Sequence, residues 1–202
     1  TLLCAYPLSR KGLRGRGFFT FIFSFTMIFS GGMIPSYLLI KKLGIMNTVW
    51  ALLLPGAMSV YNMVVTRTFL QTNIPDDLLE AARMDGCSDA QFFLKVVLPL
   101  SKAIIAVISL YYAVSHWNAY FNAFLYLNKK ALYPLQIFLR QVLVLGEIDA
   151  DMADEEMLLQ MQNLRDVLKN AIIVVSTAPL LCAYPFVQKY FVRGVMIGSL
   201  KG

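Results

Sequence analysis

Hydrophobic residues in this chain fall in long runs divided by short charged intervals. Phe18 to Ile40 contains no charged residue, and a helix needs about 20 apolar residues to cross a hydrocarbon layer. The pattern predicts one span there, interrupted in its outer part by Gly31, Gly32 and Pro35. A second span is predicted from Thr48 to about Leu70. It holds Pro55-Gly56 and Tyr61-Asn62, with Arg67 at its end, placed to snorkel to the headgroups. Leu100 to Leu127 forms a third, and Lys169 to Phe191, with Pro179 and Pro185, a fourth. Thr1 to Leu8 reads as the end of an earlier span. Because the chain starts with Thr1 inside an apolar run, it is expected to be the C-terminal part of a longer polypeptide. The expected fold class is an all-α membrane protein: a polytopic helical bundle of about four complete spans plus the end of an earlier one. It forms a single domain over residues 1–202.

One polar interval, Ile74 to Pro99, carries helix punctuation throughout. Pro75 stands where a first helical turn would begin, where its missing N–H costs nothing. Asp76, Asp77 and Glu80 then bring negative charge to the positive end of a helix dipole. Gly86, beside Asp85, is placed to stop that helix at positive φ. Ser88 and Gln91 have capping-box spacing, which predicts a second short helix. Helix, glycine turn, helix is the expected form.

Glu80-Ala81-Ala82, Gly86, Val96, Leu98 and Pro99 resemble the EAA loop of ABC-importer permeases: EAA, three residues, G, nine residues, I-x-L-P. Every spacing matches, with Val96 in place of the usual isoleucine. Phe29–Thr48 and Tyr184–Gly202 also resemble the carbohydrate-uptake branch of that family, the maltose-type and lipoprotein-linked oligosaccharide permeases. The resemblance implies the binding-protein-dependent ABC permease fold, with six spans in the whole subunit. It implies that Glu80, Ala81, Ala82, Asp85, Gly86, Leu98 and Pro99 couple the chain to an ATPase. It further implies a second permease subunit, a cytoplasmic ABC ATPase dimer and an extracellular solute-binding protein. ATP and Mg would be bound by the ATPase, leaving no cofactor in this chain. The C-terminal tail, Gly194 to Gly202, would reach the ATPase dimer.

Composition agrees with a membrane setting: 58% hydrophobic, 15% charged, mean hydropathy +0.62. The net charge of +6 reads as cytoplasmic-loop bias rather than nucleic-acid binding, because no basic patch is interleaved with aromatics. Arg10, Lys11, Arg14 and Arg16 put the loop after residue 8 in the cytoplasm. The EAA loop and C-terminus then also lie inside a bacterial plasma (inner) membrane, with membrane lipid around the spans. LLCAYP occurs at Leu2–Pro7 and again at Leu180–Pro185, giving both the same orientation. Residues 128–168 are expected to form an external loop with an acidic face, and Met157 to Leu168 has helical periodicity. Its carboxylates do not fit an EF-hand, and Cys4, Cys87 and Cys182 form no CxxC, so no metal site is expected.

Polar groups inside spans are expensive and face a bundle interior or a wet cavity. At 100° per residue, Ser115, Asn118 and Asn122 share one face, extended by Tyr111, while His116 joins Tyr112 and Tyr120. With Asn62, the residues Ser115, His116, Asn118 and Asn122 form the candidate substrate path, a wall suited to sugar rings and hydroxyls. A packing role for His116 and Trp117 stands beside that reading. No GxxxxGK[ST] loop occurs, so the chain cannot cradle nucleotide phosphates in the usual way. No nucleophile–base pair marks it as an enzyme. An ion-coupled secondary transporter is the alternative, but it calls for charges inside spans that this sequence lacks.

Overall fold

A computed structural model describes residues 1–145, 166–182, 184, 185 and 188. Those residues are helical, with no strand among them. The chain opens with α1 (Leu2–Ser9), α2 (Arg16–Ile28), α3 (Met33–Lys42), α4 (Trp50–Leu53) and α5 (Val60–Asn73). It continues through α6 (Asp76–Met84) into a helical run, Asp89–Leu100. That run comprises α7 (Asp89–Phe92), a π-helical turn (Phe93–Val97) and α8 (Leu98–Leu100). Next come α9 (Lys102–Trp117), α10 (Tyr120–Tyr126), a 3-10 turn (Lys130–Leu132), α11 (Leu135–Leu145) and α12, the helix at 166–182.

The break anticipated at Gly31, Gly32 and Pro35 is present, and the second and third anticipated spans are interrupted as well. No single described helix is long and apolar enough to cross a membrane, but two bent pairs are: α2 with α3, and Asp89–Leu100 with α9. The first pair bends by 112°. Its break lies at the glycine pair, where Gly32 takes φ +85° and Ser30 Oγ accepts its N–H at 3.2 Å. Pro35 does not cause the break; it sits in the first turn of α3, where its missing N–H has no helical partner to lose. The Thr48–Leu70 span divides at Pro55-Gly56, and the chain becomes helical again after Ser59, whose Oγ accepts the Asn62 N–H. The Leu100–Leu127 span stops at Trp117 and restarts at Tyr120.

One buried cluster unites Ala5 and Leu8 of α1, Met63 and Leu70 of α5, Ile74, Leu79 of α6, Phe92 and Val97. Small Ala5, fully buried, lets α1 lie close along α5. The carbonyls left open at the end of α1 are taken by α5: Arg67 Nε donates to Leu8 O at 3.1 Å and Gln71 Nε2 to Ser9 O at 3.4 Å. Arg67 therefore caps a helix rather than reaching freely to headgroups. Two smaller clusters join the far ends of the helices. Ile40, Ala51 and Tyr126 form one, and Ala123, Leu127 and Ile137 the other. Ile137 belongs to α11, so the segment expected to be an external loop contains a packed helix. The acidic residues anticipated at 147–156, most of Met157–Leu168 and the tail beyond 188 lie outside the described residues.

α2 buries none of its residues within this chain. Phe21, Phe25 and Phe29, four residues apart, line one side of it, Phe25 and Phe29 stacked at 4.4 Å and Phe21 tilted against Phe25 at 6.3 Å. Phe23 alone of this helix packs against the main cluster, and the rest of its apolar surface, uncovered by the described residues, fits an apolar solvent.

Candidate coupling loop and membrane cavity

α6, the glycine turn and α7 form a unit whose backbone groups are satisfied in detail. Pro75 occupies the N-cap, with φ −64° and ψ 156°, so the helix starts one residue later than expected and Asp76 and Asp77 fill its first turn. At the other end Gly86 takes φ +78°. Its N–H donates to Arg83 O at 3.0 Å, and the Cys87 N–H reaches back to Ala82 O at 2.9 Å. This pair of bonds is a Schellman closure, and the glycine is required by its φ. A Cβ at Gly86 would meet nothing within 4 Å, so crowding plays no part.

The capping box forms as expected: Ser88 Oγ accepts the Gln91 N–H and Gln91 Oε1 accepts the Ser88 N–H. Farther on, Pro99 has no N–H to offer the Lys95 carbonyl. The helix accommodates this with the π-turn just before it, where Leu98 N–H bonds to Phe93 O, five residues back. At Ser101, fully buried, the chain bends by 79° into α9.

The two faces of α6 differ. Leu79 and Ala82 turn toward the buried cluster that holds α1 and α5. Glu80 and Ala81 are exposed, Leu78 is 39% exposed and Met84 89% exposed. An apolar side chain so fully uncovered, between an exposed alanine and a glycine turn, makes this face available for a partner. Arg83 pairs with Asp89 across the turn at 3.0 Å, both side chains more than half exposed. Leu98 is partly buried and Pro99 exposed; both act in the run behind the loop rather than on its outer face.

The other candidate residues divide. Asn62 and Ser115 line one cavity of about 600 Å³ between α5 and α9, with Ser59, Tyr61 and Tyr111. Asn62 is buried and Ser115 exposed toward this space. Tyr112 OH accepts the Ser59 N–H at 2.8 Å and also pairs with Thr1 Oγ1, tying α9 to the starts of both α5 and α1. Asn118 and Asn122 do not join the cavity. The helical-wheel argument fails because α9 ends at Trp117: Asn118 is its C-cap and Asn122 rides on α10. His116 packs over Gly56, where a Cβ would lie 3.7 Å from its Cε1. Trp117 Nε1 donates to Ser176 O at 3.0 Å, fastening α9 to α12.

Sequence reasoning missed Met84 and Arg10. Met84 was legible as an apolar residue beside the glycine turn. Arg10 was read only as one of four loop charges, yet it is buried and paired with Asp76 at 3.1 Å.

A family model described as "binding-protein-dependent transport system inner membrane component" matches residues 2–197. The chain belongs to this family. It is accordingly an inner-membrane permease component and not an enzyme. Among similar proteins is the Bacillus subtilis polygalacturonan/rhamnogalacturonan transport system permease protein YtcP. It is 47% identical over 201 residues, covering 99% of this chain and 69% of the relative. LplC of the same organism is 44% identical over 205 residues, covering 100% of this chain and 68% of the relative. A solved bacterial ABC transporter involved in import of the acidic polysaccharide alginate aligns with TM-score 0.78 and 38% identity. The match covers 93% of this chain and 66% of that one. The permease chain described here thus spans about two thirds of the length of these relatives.

Proposed function

We propose that this permease is the membrane subunit of an ATP-driven importer of carbohydrate, coupled through α6 and its glycine turn to a separate ATPase. The observation that carries this reading is the two-sidedness of α6. Leu79 and Ala82 join the core of α1 and α5, while Glu80, Ala81 and Met84 stand free. A helix gripped on one face and fixed to membrane helices on the other transmits displacement. The partners are a second permease subunit, an ATPase dimer on the cytoplasmic side that holds ATP and Mg, and an external solute-binding protein. The loop and the C-terminus lie in the cytoplasm.

The cavity between α5 and α9 is the proposed substrate path in this chain. Its lining offers tyrosine rings, an amide and hydroxyls with no charged side chain, which suits sugar rings and their hydroxyl groups. Carbohydrate is also what the named transport systems of several relatives carry.

The full-length permease and its partners, reconstituted in vesicles, test the reading. ATP inside the cytoplasmic compartment should drive uptake of an oligosaccharide, and collapse of ion gradients should leave it unchanged. Uptake that follows a proton or sodium gradient without ATP would contradict the proposal.

A further inference from the structure

Of the basic residues after α1, Lys11 and Arg14 are exposed and Arg16 partly buried, whereas Arg10 is only 7% exposed. Its Nη1 donates to Ile74 O at 3.0 Å and to Asp76 Oδ1 at 3.1 Å. Ile74 is the joint between α5 and α6, and Asp76 lies in the first turn of α6. The guanidinium carbon lies 5.1 Å from the Tyr6 ring centroid and 6.0 Å from that of Phe92. Nε and Nη2 are buried without a hydrogen-bond acceptor among the described residues, and the two aromatic rings supply their surroundings. One side chain therefore touches α1, the α5–α6 joint, α6 and α7.

This arrangement is poorly explained by stability. A buried charge is costly to desolvate, and apolar replacements of similar size are often as stable or more so. What a planar cation held against two aromatic rings adds is fixed geometry between the groups it joins. We infer that Arg10 is a positioning residue that pins the coupling helix α6 to the α1–α5 pair, so that displacement of α6 reaches the membrane cavity. The route is short. α5 runs from Asn62 at the cavity to the Arg10 contact at Ile74, about 18 Å at 1.5 Å per residue. At the cavity end Tyr112 holds α5 and α1 to α9. Arg10 touches neither substrate nor ATPase in this account; it acts through α6. The inference rests on the importer reading above.

The test uses the full reconstituted transporter carrying Arg10→Met, Arg10→Lys or Asp76→Asn. ATPase co-purification and sugar uptake per ATP hydrolysed are measured for each. Arg10→Met should retain the ATPase and hydrolysis but lower uptake per ATP by about fivefold or more, the low end of coupling between linked sites. Arg10→Lys should fall between wild type and Arg10→Met, since it keeps the charge but not the planar group stacked on Tyr6 and Phe92. Asp76→Asn should also lower the ratio while sparing co-purification. Unchanged uptake per ATP in Arg10→Met would overturn the inference, as would a loss that tracks loss of the bound ATPase. Failure of the wild-type complex to couple uptake to ATP would instead overturn the importer reading itself.

Discussion

The backbone N–H of Cys87 bonds to the carbonyl oxygen of Ala82 at 2.9 Å, across a glycine at φ +78°. This closure sets the angle at which α7 leaves α6, and both residues pack against the core shared with α1 and α5. The loop joining α6 to α7 is in this sense packed into the helical core rather than tethered to it.

Gly86→Ala should therefore act through backbone strain alone. An L-residue at that φ costs about 1–2 kcal/mol, and no clash adds to it. In inside-out vesicles the loop of this variant should be cut faster by added protease than wild type, with equal amounts of permease in the membrane. Equal cleavage rates would show that the turn is not held as described.

Ser88 and Arg83 offer a contrast on one loop. Ser88→Ala removes half of a capping box and should destabilise the start of α7 by about 1 kcal/mol. Arg83→Ala removes an exposed ion pair, worth no more than about 1 kcal/mol and often nothing. Hydrogen exchange at Gln91 and Phe92 should accelerate in Ser88→Ala and barely change in Arg83→Ala. The opposite order would make the ion pair the principal tie.

Met84 tests the outward face. Met84→Asp changes no buried contact, since the side chain is 89% exposed, and should leave insertion and cleavage resistance intact. ATPase bound to the purified complex should fall by about tenfold, the effect of about 1.4 kcal/mol. Full retention of the ATPase would remove Met84 from the docking face.

In the cavity, Asn62→Ala and Tyr111→Ala should each raise the sugar concentration needed for half-maximal uptake. Loss of one hydrogen bond, about 0.5–1.5 kcal/mol, corresponds to about two- to tenfold. Asn122→Ala, on α10 and outside that lining, should change it little. Equal effects at all three would argue for general disturbance of the bundle rather than contact with sugar.

Much of the loop was legible because its signals are local. Proline, acidic first turn, glycine and capping box each act within four residues, so spacing alone places them. Gly31-Gly32 and Pro55-Gly56, visible in the sequence, break the first two spans, but periodicity failed in the third, where the helix that the wheel assumes ends at Trp117. Asn118 and Asn122 left the candidate wall for that reason, while Ser115, before the break, stayed with Asn62. Arg10 was hidden because its partners stand 64 and 66 residues away, and no local pattern distinguishes it from the charges beside it.

The most direct measurement of the central claim is purification of the full-length permease complex from detergent-solubilised membranes, wild type against Gly86→Asp. Bound ATPase and sugar-stimulated ATP hydrolysis are read from each. The account predicts that wild type carries an ATPase whose hydrolysis responds to sugar, and that Gly86→Asp reaches the membrane but loses the ATPase or the response. An equally coupled Gly86→Asp complex, or a wild-type permease with no ATPase bound, would contradict it.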